Sequence, residues 1–132
     1  MIRFTCSGHK NILGSHSRTL EFTKDSWLTP DGNCIIGINA DFDRAGLKNL
    51  LAYGSMRIYL SAEGISDTIT ADVNPDFDID DEIVVRLGEF RSQRTLGVNS
   101  DKASTHVDRR LIEKMKNPEQ RMIVEIEGFN KS

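Results

Sequence analysis

The sequence predicts a β-rich α+β domain made of two similar halves, each running strand, strand, strand, helix, strand. Three observations carry that expectation. "IIGINAD" at 35–41 and "TLGVNSD" at 95–101 repeat one pattern: Gly, a β-branched residue, Asn, a small residue, then Asp. Several short runs alternate apolar and polar positions, the period-two signature of half-buried strands. One stretch after each Asp carries apolar residues at helical spacing. Neither half can cover its own apolar face, so two copies about a pseudo-twofold axis are expected to share a core. A barrel with two helices, closed or partly open, would remove the exposed sheet edges. The chain of 132 residues suits a single domain, 1–132, with halves of about 1–64 and 65–132.

The elements follow in order. "IRFTC" at 2–6 is a short strand. In "SRTLEFTK" at 17–24, Leu20 and Phe22 face one way and Thr19, Glu21 and Thr23 the other. "TPDGN" at 29–33 is a turn, since Pro30 presets φ and Gly32 tolerates positive φ. "CIIGIN" is a strand with Cys34, Ile36 and Ile38 on one face. Asp41 is expected to cap a helix whose buried stripe is Phe42, Ala45, Leu47, Leu50 and Leu51, ending near Gly54. "MRIYLSAEG" at 56–64 closes the first half. "TITAD", "EIVVRL" and "RTLGVN" are the next strands. Asp101 is expected to cap a helix carrying Val107, Leu111 and Met115, stopped by Asn117-Pro118. "RMIVEIEG" at 121–128 matches "RIYLSAEG" at 57–64 in Arg, Glu and Gly. Ile36, Ile38, Leu96 and Val98 are the expected shared core.

Composition excludes several classes. No apolar run reaches the roughly 18 residues of a membrane helix, and no basic head precedes an apolar segment near the N-terminus. Cys6 and Cys34 form neither a disulfide framework nor a zinc motif, and read as buried thiols of a cytoplasmic protein. The net charge of −3 is unevenly spread. Residues 62–85 hold eight acids and no Lys or Arg, whereas 86–121 hold nine bases and five acids. The expected result is an acidic and a basic side.

With these residues in view, the chain resembles the archaeal domain-of-unknown-function 371 family. "GHKNILGSH", "TLEFTKDSWLTPDGNCIIGINAD" and "RTLGVNSDKASTHVDRRLIEKM" carry the likeness. It covers essentially the whole chain and implies a small stand-alone archaeal cytosolic protein, with no activity attached. Where the family's second copy often has its own Gly-His-Pro stretch, this chain reads Val73-Asn74-Pro75.

The candidate chemistry clusters early. His9, Asn11, His16 and Glu21, with Arg94 from the second half, are the expected ligand-binding set. Imidazole and carboxylate groups could act as acid and base, and His9, His16 and Glu21 could hold a divalent metal. The same residues could instead be surface groups that tie down a loop. Asp41 and Asp101 are either helix caps or paired acids sharing a proton. Two functions follow: a small ligand-binding or catalytic barrel, or a non-enzymatic module that binds RNA or protein. The second would use Arg91, Arg94, Lys102, Arg109 and Arg110. Trp27-Leu28 is expected as a hydrophobic plug over the core. No phosphate loop, dinucleotide fingerprint or nucleophile elbow is present.

Overall fold

Alternating apolar and polar positions become eight strands in the computed structural model, which describes residues 1–131. The strands are β1 (Ile2–Ser7), β2 (Thr19–Thr23), β3 (Ile35–Gly37), β4 (Ser55–Ala62), β5 (Ile65–Val73), β6 (Glu82–Arg86), β7 (Thr95–Val98) and β8 (Arg121–Phe129). Two short helices, α1 (Arg44–Leu50) and α2 (Arg109–Lys114), follow β3 and β7, and a 3-10 turn, Ser104–His106, precedes α2. The protein is therefore a β-rich α+β fold with two helices.

The strands form one sheet in the order β1-β8-β4-β5-β7-β6-β2-β3. It has two ends and is not a closed barrel. β3 is only three residues long and its parallel pairing with β2 is irregular, so it offers β1 no ladder. The two edge strands meet at a single bridge, Ser7–Ile38, with N–H···O distances of 2.7 and 2.9 Å. Inside the curled sheet, Phe4 stacks edge-on against Phe22 and Phe42 with ring centroids 5.5 and 5.4 Å apart. Ile36, Ile38 and Leu96 join this apolar cluster; Val98 is buried too but lies outside it. In α1, Leu47 and Leu50 are buried, while Ala45 is exposed because it sits on the far side of the helix. Leu28 packs into the core, but Trp27 points out at 65% exposure, so only half of that pair acts as a plug.

The repeated Gly-x-Asn-x-Asp pattern has one mechanical explanation in both places. A Cβ on Gly37 would fall 2.3 Å from Cys6 Sγ, so glycine is required there, and one on Gly97 would fall 2.4 Å from Met56 Cε and displace the end of that flexible side chain. Asn39 and Asn99 both adopt φ of 52°, the left-handed region Asn tolerates. Their N–H groups donate to Asp25 and Gly88 carbonyls, and the next amides, Ala40 and Ser100, to Thr23 and Arg86 carbonyls. Asp41 and Asp101 then donate to the carbonyls of Thr5 and Thr70, and each carboxylate accepts the same threonine's N–H, at 2.7 and 3.0 Å. A side-chain carboxylate thus continues a ladder whose strand has ended.

That role corrects the capping expectation. With Asp41 and Asp101 held by β1 and β5, the helices start later and are capped by Asp43 and Asp108, which accept the N–H of Ala45 and Arg110. The stretches "RIYLSAEG" and "RMIVEIEG" lie largely on the paired strands β4 and β8. Cys6 faces Met122 in one ladder and Ala71 faces Met56 in the other. Asp101→Ala should lower stability by about 1 kcal/mol, the net worth of one exposed charge-assisted hydrogen bond. Asp101→Asn keeps an acceptor and should recover most of it; urea denaturation of the two variants checks this.

Candidate functional site

The alternation of β2 sends Leu20 and Phe22 inward and puts Glu21 on the outer face, yet Glu21 is only 6% exposed. Its cross-strand partner in β6, Val84, is also buried while lying outside the apolar cluster. The segment before β7 supplies the cover: Val84 N–H donates to the Arg94 carbonyl at 3.0 Å. The Arg94 guanidinium reaches back to Glu21 at 3.6 Å and to Glu82 at 3.4 Å. On the other side, Cys34 Sγ donates to Glu21 Oε1 at 3.6 Å. Cys34 precedes β3, and its thiol turns to this face instead of joining Ile36 and Ile38 inside.

Burial first, and then a hydrogen bond and charge repulsion from Glu82, push the Glu21 carboxyl up to about 7; Arg94 opposes them. Burial and the Glu21 carboxyl push the Cys34 thiol up to about 11, so it stays protonated at neutral pH and serves as a hydrogen-bond donor. The Thr19 hydroxyl lies beside this thiol. Thr19, Arg18, Arg86, Gly88 and Phe90 line a small cavity of about 100 Å³. Arg86 Nε donates to Thr95 Oγ1 at 3.0 Å, and its guanidinium carbon sits 4.9 Å from the Phe90 ring centroid. The arrangement offers a proton near neutrality beside fixed positive charge and a small recess.

The expected site residues divide into three groups. Glu21 and Arg94 meet directly. His16 is one residue removed: its Nδ1 accepts the N–H of Arg18 and Thr19 at 3.0 and 3.1 Å and lies 3.1 Å from Thr19 Oγ1. His9 and Asn11 serve elsewhere. His9 Nδ1 accepts the Asn11 N–H at 3.0 Å, and Asn11 Nδ2 donates to the Leu28 carbonyl at 2.9 Å, tying two loops together. In the Val73-Asn74-Pro75 stretch, Asn74 Oδ1 accepts the Asp76 N–H, so this amide and the His9 imidazole close the same kind of turn.

Among the described residues no three His, Cys, Asp or Glu side chains are grouped to hold a metal, so His9, His16 and Glu21 do not form a metal set. His9 is instead held on the Asn11 amide and His16 on the amides of Arg18 and Thr19. Asp41 and Asp101 are not paired acids either. They are bonded to β1 and β5, which β8 and β4 separate by roughly 14 Å at ordinary strand spacing.

The second-half cations are mostly engaged within the fold. Lys102 pairs with Asp67 and Arg110 with Asp108, and Arg109 donates to the carbonyls of Leu13, Gly14, Ser104 and Thr105. The larger concavity, about 770 Å³ along α2, is lined by such pairs, Lys114–Glu63 among them. Sequence reading missed Cys34, Glu82, Arg86, Arg18 and Thr19. A signal existed: Glu82 and Arg86 alternate with Ile83 and Val85 as Thr19 and Glu21 alternate with Leu20 and Phe22, giving two adjacent strands the same polar outer face.

No helix is long and apolar enough to cross a membrane among the described residues. An uncharacterised protein of Methanocaldococcus jannaschii is 34% identical over 116 residues, covering 83% of this chain and 86% of the relative. The family model described as a domain of unknown function, DUF371, matches residues 4–128. That match takes in both helices and all or most of every strand, and the chain belongs to the DUF371 family.

Proposed function

We propose that the outer face of β2 and β6 is a small-ligand site with acid–base character, centred on Glu21. One observation carries the reading: a carboxyl 6% exposed, held at about 7, beside Arg94 and next to a recess. A group poised near the working pH both gives and takes protons efficiently. In this reading Glu21 transfers a proton to the bound molecule, and Arg94 stabilises the carboxylate left behind. Glu82 raises the proton affinity, and Cys34 fixes the carboxyl by donating to it. The matching ladders and the two Asn-x-Asp hooks support a second part of the proposal, that the halves arose by duplication. Glu21 then marks where they diverged, because its counterpart across the pseudo-axis is Val84. Two free cysteines fit a reducing cytoplasm.

The test is an NMR screen of a small-molecule panel at pH 6 and pH 8. Binders should perturb the amides of Thr19, Glu21, Cys34 and Arg86, and their affinity should depend on pH in the native protein but not in Glu21→Gln. Perturbations confined to Arg91, Arg109 and Arg110, seen with RNA and with no small molecule, would favour a nucleic-acid module instead.

A further inference from the structure

We infer that the recess between β2 and β6 binds a small free oxyanion, a carboxylate or phosphate group, held between the guanidinium groups of Arg18 and Arg86 with the Thr19 hydroxyl at its floor. The inference names the ligand class of the site proposed above and rests on that reading for the proton at Glu21. Three independent features meet here.

The first is unbalanced positive charge. Among the described residues eight ion pairs engage other cations, yet neither Arg18 nor Arg86 has a carboxylate within 4.0 Å. Among the described residues the Arg86 side chain makes a hydrogen bond only through Nε, to Thr95, which leaves its terminal nitrogens as donors for a ligand. Its position is electrostatically unfavourable: partial burial, then the neighbouring Arg94, depress it from the usual guanidinium range. A bound anion would relieve that repulsion.

The second is shape. The recess of about 100 Å³ suits one carboxylate or phosphate group and little more. Gly88 lines one side, with Arg18 Nη2 3.4 Å from where a Cβ would stand. The Phe90 ring, 65% exposed, holds the Arg86 guanidinium from the other side, so its planar fork is preorganised. The third is continuity with the proton. Thr19 lines the recess and lies beside Cys34, whose thiol donates to Glu21. An oxyanion seated on Arg18 and Arg86 would therefore anchor a molecule whose remaining atoms extend toward Glu21. Guanidinium forks suit carboxylate and phosphate oxygens alike.

Isothermal titration with inorganic phosphate and with acetate, backed by arginine Nε NMR, is the test. At least one anion should bind and shift the Arg18 and Arg86 side-chain signals. Arg18→Gln should weaken binding about tenfold or more, the worth of one lost charge-assisted contact. Arg86→Gln should do the same, while Arg91→Gln, whose side chain does not line the recess, should not. Arg18 is exposed and among the described residues its side chain makes no hydrogen bond, so that variant should fold even if loss of the Arg86–Thr95 contact disturbs the other. The relative response to the two anions tells which source of oxygens the recess prefers.

No binding of either anion, or equal binding by Arg18→Gln, overturns the inference, and so does binding of single-stranded RNA without either free anion. If Glu21 still titrates near 7 in that case, only the oxyanion fails. If phosphate binds while Glu21 titrates in the ordinary carboxylate range, the anion site stands and the acid–base reading falls.

Discussion

Ile36→Ala is expected to lower the unfolding free energy by about 2–4 kcal/mol, from lost burial and from the cavity left behind. Ile36 is fully buried in a strand of only three residues, so it has few neighbours on its own strand to close over a void. β3 also delivers Ile38 to the bridge with Ser7 and Asp41 to its hook on Thr5, the contacts that bring the two ends of the sheet together. Loosening β3 should therefore weaken β1 as well. Val98→Ala is the useful comparison: it is equally buried but lies outside the main apolar cluster, and should cost less. Urea denaturation of both variants reads the difference, and an Ile36→Ala protein as stable as the native one would contradict this account of the core.

The second large effect is a change in how stability depends on pH. Glu21 has a folded-state pKa of about 7, above its ordinary 4.5. The folded state therefore holds this proton more tightly than the unfolded chain, and stability falls as pH rises from about 4.5 to about 7. Below that window both states are protonated and there is no penalty; above it the full cost of a buried carboxylate is present. After allowance for solvent screening and for the shared proton with Glu82, the cost is on the order of 2 kcal/mol. Glu21→Gln keeps the shape and removes the charge, so at pH 8 it should be more stable than the native protein by about that amount. The two should converge near pH 4. Asp67 has the opposite sign: against its partial burial, hydrogen bonds from Lys102 and from the amides of Asp108 and Thr68 hold it below the usual range. Its contribution is lost only in stronger acid. Thermal melts across pH 2–8 distinguish these slopes.

Local pattern made the strands legible. Alternation in "TLEFT" fixed which side chains point inward, whereas "EIVVR", with three apolar residues in a row, was legible only as a strand. The repeated motif was legible as architecture, but its aspartates were not. A short-range rule places an Asp before a helix as its cap, whereas Asp41 and Asp101 answer to Thr5 and Thr70, 36 and 31 residues away. Non-local hydrogen bonds leave no mark in the neighbouring sequence. The failure to close a barrel has a similar origin, since it depends on how far β3 continues beside β1.

Half of the candidate site was legible for the same reason. Glu21 could be placed on a polar face, and Arg94 suspected, but Cys34, Glu82 and Arg86 come together only through strand pairing. Histidines drew attention because their residue type carries chemistry. His9, His16 and His106 all spend Nδ1 on a nearby backbone N–H instead, a local use that residue type does not reveal.

The most direct test of the central claim is a carbon-13 NMR titration of the Glu21 side-chain carboxyl, assigned by its loss in Glu21→Gln. The account predicts a midpoint near 7, moving toward the ordinary carboxylate range in Glu82→Gln, which removes both the repulsion and the proton-sharing partner. A midpoint near 4.5 in the native protein would contradict it.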